Sequence, residues 1–156
     1  LPPAKRFDEA DIGRFLELLP DRLGELRLRH AIEVRHATFM QPAFVRLARM
    51  RGVCIVYAEH ARYPAIPDLT SDFVYARLQK GKDRLRTGYP SAALDEWAAR
   101  LRTWAAGGQP PDLGRPIDAA GSAPRTPRDV FAYVIHEGKV RAPAAAEALI
   151  RRLASG

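Results

Sequence analysis

Ala31-Ile32-Glu33-Val34-Arg35-His36 is the stretch whose reading decides the fold. In an extended chain successive side chains point to opposite faces, so Ile32 and Val34 share one face while Glu33 and Arg35 share the other. The apolar face suits packing beneath helices. The face carrying Glu33 and Arg35 must open onto something polar, and the lumen of an α/β barrel near its open end supplies that. The design recurs three more times. Val53 to Ala58 runs into Glu59 and His60, Phe73-Val74-Tyr75-Ala76-Arg77-Leu78 runs into a basic loop reaching Lys82, and Val130 to Ile135 runs into His136 and Lys139. By the same parity Tyr57 falls with Glu59 and Tyr75 with Arg77, so three successive strands are expected to aim an ionisable group into one region. Strands that end in ionisable groups build a binding face at the carboxyl edge of a barrel or open α/β sheet.

Helical patterns fill the spaces between these runs. Asp8 can cap a helix in which Ile12, Phe15, Leu16 and Leu19 recur at helical spacing, and Pro20 ends it. Pro42 opens a second helix that buries Phe44, Val45, Leu47 and Ala48 and stops at Gly52. Ser91 is expected to cap a third, with Leu94, Trp97, Ala98, Leu101 and Trp104 on one face and Gly107-Gly108 at its end. Pro143 starts a last helix with Leu149, Ile150 and Leu153 inward. Residues 107–129 hold five prolines and four glycines without apolar periodicity, and read as a mobile insertion within a single domain. Strands alternating with helices imply parallel pairing through right-handed crossovers.

Composition bounds the function. At 156 residues, with 47% hydrophobic and 28% charged residues, the sequence suits one globular domain. No apolar run approaches the ~20 residues of a membrane span, and the first residues are no signal peptide, so a cytoplasmic protein is expected. The lone Cys54 lies within Val53-Cys54-Ile55-Val56, where it reads as a buried thiol suited to a reducing compartment. The net charge of +7 admits a phosphate-bearing or nucleic-acid partner, although the arginines are spread over many helices.

Leu1-Pro2-Pro3 ahead of a helix, Glu33-Val34-Arg35-His36, Phe73-Val74-Tyr75-Ala76-Arg77-Leu78, Tyr89 ahead of the Leu94/Trp97 helix, and Gly138 followed by Ala142-Pro143 resemble the YecE-like family. That family is a domain of unknown function with a TIM-barrel-like fold, and the resemblance covers nearly all of the sequence outside the insertion. It implies the second half of a (β/α)8 barrel, with residues 1–156 a single, N-terminally incomplete domain, since members run to about a barrel length of ~250 residues. Glu33 and Arg35 match the family's Glu-x-Arg strand, and Arg77 its Tyr-x-Arg-Leu strand. Glu59 stands where the family usually has Asp, Gln79-Lys80-Gly81 replaces a common His-Gly, and His136 lies where many relatives carry Asn. Half a barrel would leave unpaired strand edges, which invite self-association.

In a completed barrel the loops carrying Lys80, Lys82 and Arg84, and Lys139 and Arg141, would be the last two at the strand ends, a frequent phosphate site. An anionic, phosphate-bearing small ligand is therefore expected. Arg35 and Arg77 would grip it by bidentate hydrogen bonds, and Glu33 and Glu59 are the candidate catalytic acid and base of a hydrolase. His36, Tyr75 and His136 complete the polar face. No cofactor is expected. His36, Glu59, His60, His136 and Glu137 offer donors for a divalent metal, but no His-x-His or His-Glu-x-x-His spacing occurs. The alternative is a nucleic-acid-binding or accessory protein without turnover, or an inert truncated remnant.

Overall fold

The computed structural model describes residues 1–121, 124–135 and 139–155. The chain opens with helix α1 (Glu9–Glu17) and a small antiparallel hairpin, β1 (Arg22–Leu23) with β2 (Leu26–Arg27). Then come β3 (Ala31–Ile32), α2 (Pro42–Met50), β4 (Cys54–Ile55), β5 (Tyr57–Glu59) and β6 (Phe73–Leu78). Helix α3 (Ser91–Ala105), β7 (Asp129–Val134) and α4 (Ala142–Ala154) complete it.

The strands after the hairpin are parallel and follow chain order, as expected: β3 beside β4, and β5-β6-β7 together. The expected barrel is not closed among the described residues. The run Val53 to Ala58 is one strand by sequence but breaks at Val56, because its first half pairs with β3 and its second half with β6. The N–H of Val56 donates to Ile32 O at 3.0 Å, and Thr70 closes the gap on the other side, accepting from Ile55 N and donating to Val53 O. Each strand thus hands over to the next, and the expected five-residue first strand shortens to Ala31–Ile32. The β1/β2 hairpin had no counterpart in the sequence reading. Its turn needs Gly24, whose φ is +58°, and Leu23 and Leu26 remain exposed.

All four helices pack on one face. Ile32, Val34 and Ile55 meet Ile12, Leu16, Phe44, Val45 and Ala48 of α1 and α2 in one core. Val74, Ala76 and Leu78 of β6 meet Leu94, Trp97, Leu101 and Trp104 of α3 and Ala145, Ala148 and Leu149 of α4 in a second. Asp8 caps α1 as its sequence predicts, accepting from Asp11 N at 2.8 Å. The expected Ser91 cap is corrected: Pro90 holds that position, and Ser91 Oγ instead accepts from Arg152 on α4 at 2.7 Å. Phe15, Ile150 and Leu153 were expected inward and are 43%, 63% and 37% exposed. On α4 the alanines Ala145 and Ala148 make the contact because they let the backbone approach α3, which turns Ile150 outward.

The Pro/Gly-rich stretch makes more contacts than its composition implies. Asp68, wholly buried, accepts from Ile117 N and Asp118 N at 2.8 and 2.9 Å, and Asp118 pairs with Arg49 of α2 at 2.6 Å. No helix among the described residues is long and apolar enough to cross a membrane.

Candidate functional site

The face of the parallel strands away from the helices carries the candidate residues. Register places Tyr75 opposite Phe131 and Arg77 opposite Tyr133, and puts Ala31 level with Cys54. Side chains on this face are stacked in layers from the amino to the carboxyl ends of the strands. At the floor Arg29 reaches across to Asp129 at 2.7 Å, with its guanidinium over the rings of Phe73 and Phe131. In the middle Tyr75 and Tyr133 stack, their ring centres 4.8 Å apart and 19° from parallel. At the mouth Glu33 accepts from Arg35 Nε at 2.7 Å and from Arg77 Nη1.

This cluster is a carboxylate clamped by two guanidiniums, Arg35 from the segment just after β3 and Arg77 from β6. Partial burial works to raise the Glu33 pKa, but the hydrogen bonds and charges of Arg77 and Arg35 outweigh it and hold the group below its ordinary value. Glu33 is therefore ionised at neutral pH, and the triad carries a net charge of one positive unit. Arg35 also lies over the ring of Tyr63, 5.2 Å from its centre, and Tyr63 stacks on His60 at 3.9 Å. Glu33, Arg77 and Tyr75, with Ala31, Val56 and Ile135, line an open cleft of about 320 Å³.

Glu59 is not part of this cluster, which corrects the expectation that three strands aim at one region. Its parity with Tyr57 is as read, but both face α3. Tyr57 packs edge-on against Trp97 and Trp104. The Glu59 carboxylate accepts from Trp97 Nε1 at 3.0 Å, Tyr89 Oη at 2.7 Å, and the N–H groups of Gln79 and Lys80 at 3.2 Å each. Ile55, two residues before Tyr57, already packs in the helix-side core, so period two carries Tyr57 and Glu59 to the helix side across the change of sheet partner at Val56. His36 is likewise placed elsewhere than in the ring: its Nδ1 accepts from Thr38 N at 3.2 Å and caps a single 3-10 turn.

The rim residues divide into two groups. Lys80, Lys82 and Arg84 are exposed on the loop after β6 and form no ion pair among the described residues. Arg141 instead ties that loop down, donating from Nε to Asp83 O at 3.1 Å. His136 and the side chain of Lys139 lie outside the described residues, and so does Glu137. No group of three or more metal-ligating side chains occurs among the described residues. Cys54 is buried and its thiol is pushed up to about 11 by burial, in keeping with a thiol inert in the folded state.

Sequence reasoning missed Arg29, Tyr63 and Tyr133. Tyr133 was legible by period two from Phe131 and Ile135, whereas Arg29 precedes its strand and reaches its partner only through the fold.

Comparison with known proteins adds the family. No curated protein matches the chain. Among solved structures it is similar to a DUF72 family protein from Enterococcus faecalis, with a TM-score of 0.61 and 12% sequence identity. The match covers 99% of this chain and 56% of the relative, so the chain spans little more than half of that protein's length. Residues 1–156 match throughout the family described as "Protein of unknown function DUF72", and the chain with its guanidinium-clamped strand face belongs to that family.

Proposed function

We propose that this chain forms one side of a TIM-barrel-like lumen and binds a phosphate-bearing anion at its mouth. The observation that carries the reading is the clamp itself. Glu33 fixes Arg35 and Arg77 in place with one charge fewer than they bring, so the pair keeps a net positive field and oriented donors. Lys80, Lys82 and Arg84 extend that field along the rim, and Arg141 holds their loop. Glu33 acts here as a positioning residue.

A hydrolase acting on the same anion would need a proton donor beside it. Glu33 is held ionised, and Glu59 is spent on four hydrogen bonds on the opposite face. The reading is therefore one of binding, and it invokes no cofactor. A buried, unpaired Cys54 suits a cytoplasmic setting.

Calorimetric titration of residues 1–156 with inorganic phosphate tests this. Binding should weaken on adding salt and fall at least about tenfold in Arg77→Gln, the value of one charge-assisted hydrogen bond. Full affinity in Arg77→Gln would sink the proposal. The three exposed cations on one loop favour a second reading, a nucleic-acid surface. A steep salt dependence of binding to generic duplex DNA, lost in a Lys80, Lys82 and Arg84 triple charge removal, would support it, and absence of DNA binding at low salt would remove it.

A further inference from the structure

We infer that the anion bound at Arg77 is carried on a planar heterocycle, and that the ligand is a nucleotide whose ring stacks on Tyr75. The inference rests on the anion reading above and adds the rest of the ligand.

Tyr75 and Arg77 lie two residues apart on one face of β6, about 7 Å along the strand, with the guanidinium at the mouth and the phenol ring one layer deeper. A ligand held at Arg77 that extends into the cleft therefore meets the Tyr75 ring. That ring is fixed: Tyr133 stacks on it, and Tyr75 itself lines the cleft. A prearranged aromatic surface costs little entropy to use, which is why stacked bases are commonly held this way.

The wall beside Tyr75 is apolar, made by Ala31, Val56 and Ile135, while Glu33 and Arg77 supply the polar end of the cleft. A sugar lying against Ala31, Val56 and Ile135 would find side-chain partners for its hydroxyls only at the Glu33 and Arg77 end. An aromatic heterocycle presents a face that needs none. The cleft's volume, about 320 Å³, is of mononucleotide size and lies at the small end of ligand sites. Burial raises the Tyr75 pKa, so the phenol stays neutral and can also donate a hydrogen bond.

The test compares three ligands by calorimetry on residues 1–156: AMP, ribose 5-phosphate and inorganic phosphate. AMP should bind about tenfold tighter than ribose 5-phosphate, the contribution of one base stacked on one aromatic ring. Tyr75→Leu should bring AMP down to the affinity of ribose 5-phosphate while leaving ribose 5-phosphate unchanged, and Tyr75→Trp should keep the preference. Equal affinity for AMP and ribose 5-phosphate in the natural sequence overturns the inference and leaves the anion reading standing. Binding of none of the three overturns both. Should Tyr75→Leu fail to fold, the Tyr75→Trp comparison decides alone, since loss of the AMP preference there contradicts stacking.

Discussion

Two glutamates separated by one strand do opposite jobs. Glu33 gathers two arginines on the open face, and Glu59 gathers a tryptophan, a tyrosine and two backbone N–H groups behind it. Removing Glu59 leaves the Trp97 N–H and the Tyr89 hydroxyl without acceptors, so Glu59→Leu should cost about 2–4 kcal/mol in urea unfolding. Phosphate affinity should not move, and a loss of affinity without loss of stability would instead return Glu59 to the site. Glu33 predicts a pH effect whose sign is fixed. Its folded pKa is lowered from an ordinary value of 4.5, so its stabilisation is complete above that value and is lost as pH falls through the lower folded value. Acid unfolding followed by circular dichroism should show a shallower decline below pH 4.5 for Glu33→Gln than for the natural sequence. Identical slopes would show that the clamp contributes nothing to stability. The residue types at both positions were legible in the sequence. Their faces were legible too: Glu33 alternates with Ile32 and Val34, whereas Glu59 shares the parity of Ile55, which packs in the helix-side core, and grouping Glu59 with the open face overlooked that.

At the scale of elements, the helices were read well where large residues set their faces and poorly where small ones did. Helix α3 buries the five residues its spacing predicts, Leu94, Trp97, Ala98, Leu101 and Trp104. In α4 the alanines took the contact and Ile150 turned outward, since close approach of two helices favours small side chains at the crossing. The turns give a sharper test. Gly107 follows α3 with φ of +88°, and a Cβ there would lie 2.6 Å from Thr126 O. Gly52 follows α2 with φ of +60°, and nothing lies within 4 Å of the position of its Cβ. Gly52→Ala should therefore cost ~1 kcal/mol, from backbone conformation alone. Gly107→Ala should cost roughly 3 kcal/mol, because backbone must also move. Urea midpoints of the two variants measure the difference, and equal midpoints would mean that the Thr126 contact relaxes freely.

The whole molecule has a consequence that no single element shows. Among the described residues strand β7 pairs with β6 on one side only, and its residues are exposed or half-buried where those of β6 are mostly buried. An apolar groove of about 460 Å³ runs beside it, lined by residues that include Val130, Ala132, Val134, Leu149 and Ile150. Exposed strand edges of this kind recruit further strands. Sedimentation velocity of residues 1–156 should show mass rising with concentration, whereas a monomer at every concentration would argue that the edge is covered within the chain. The family relative is nearly twice as long as the matched region.

Period two and period 3.6, with capping residues, determined the parallel α/β class, most of both cores and the arginines at strand ends, because those patterns are set by local backbone geometry. The tertiary structure decided that Glu33, Arg35 and Arg77 meet while Glu59 does not, that Arg29 closes the floor, and that the strands of the described residues do not close into a barrel. Each of these depends on which segment lies beside which: the chain after β3 comes to lie against β6, so Glu33 reaches Arg77, while Glu59, on the face of Ile55, comes to lie against Trp97.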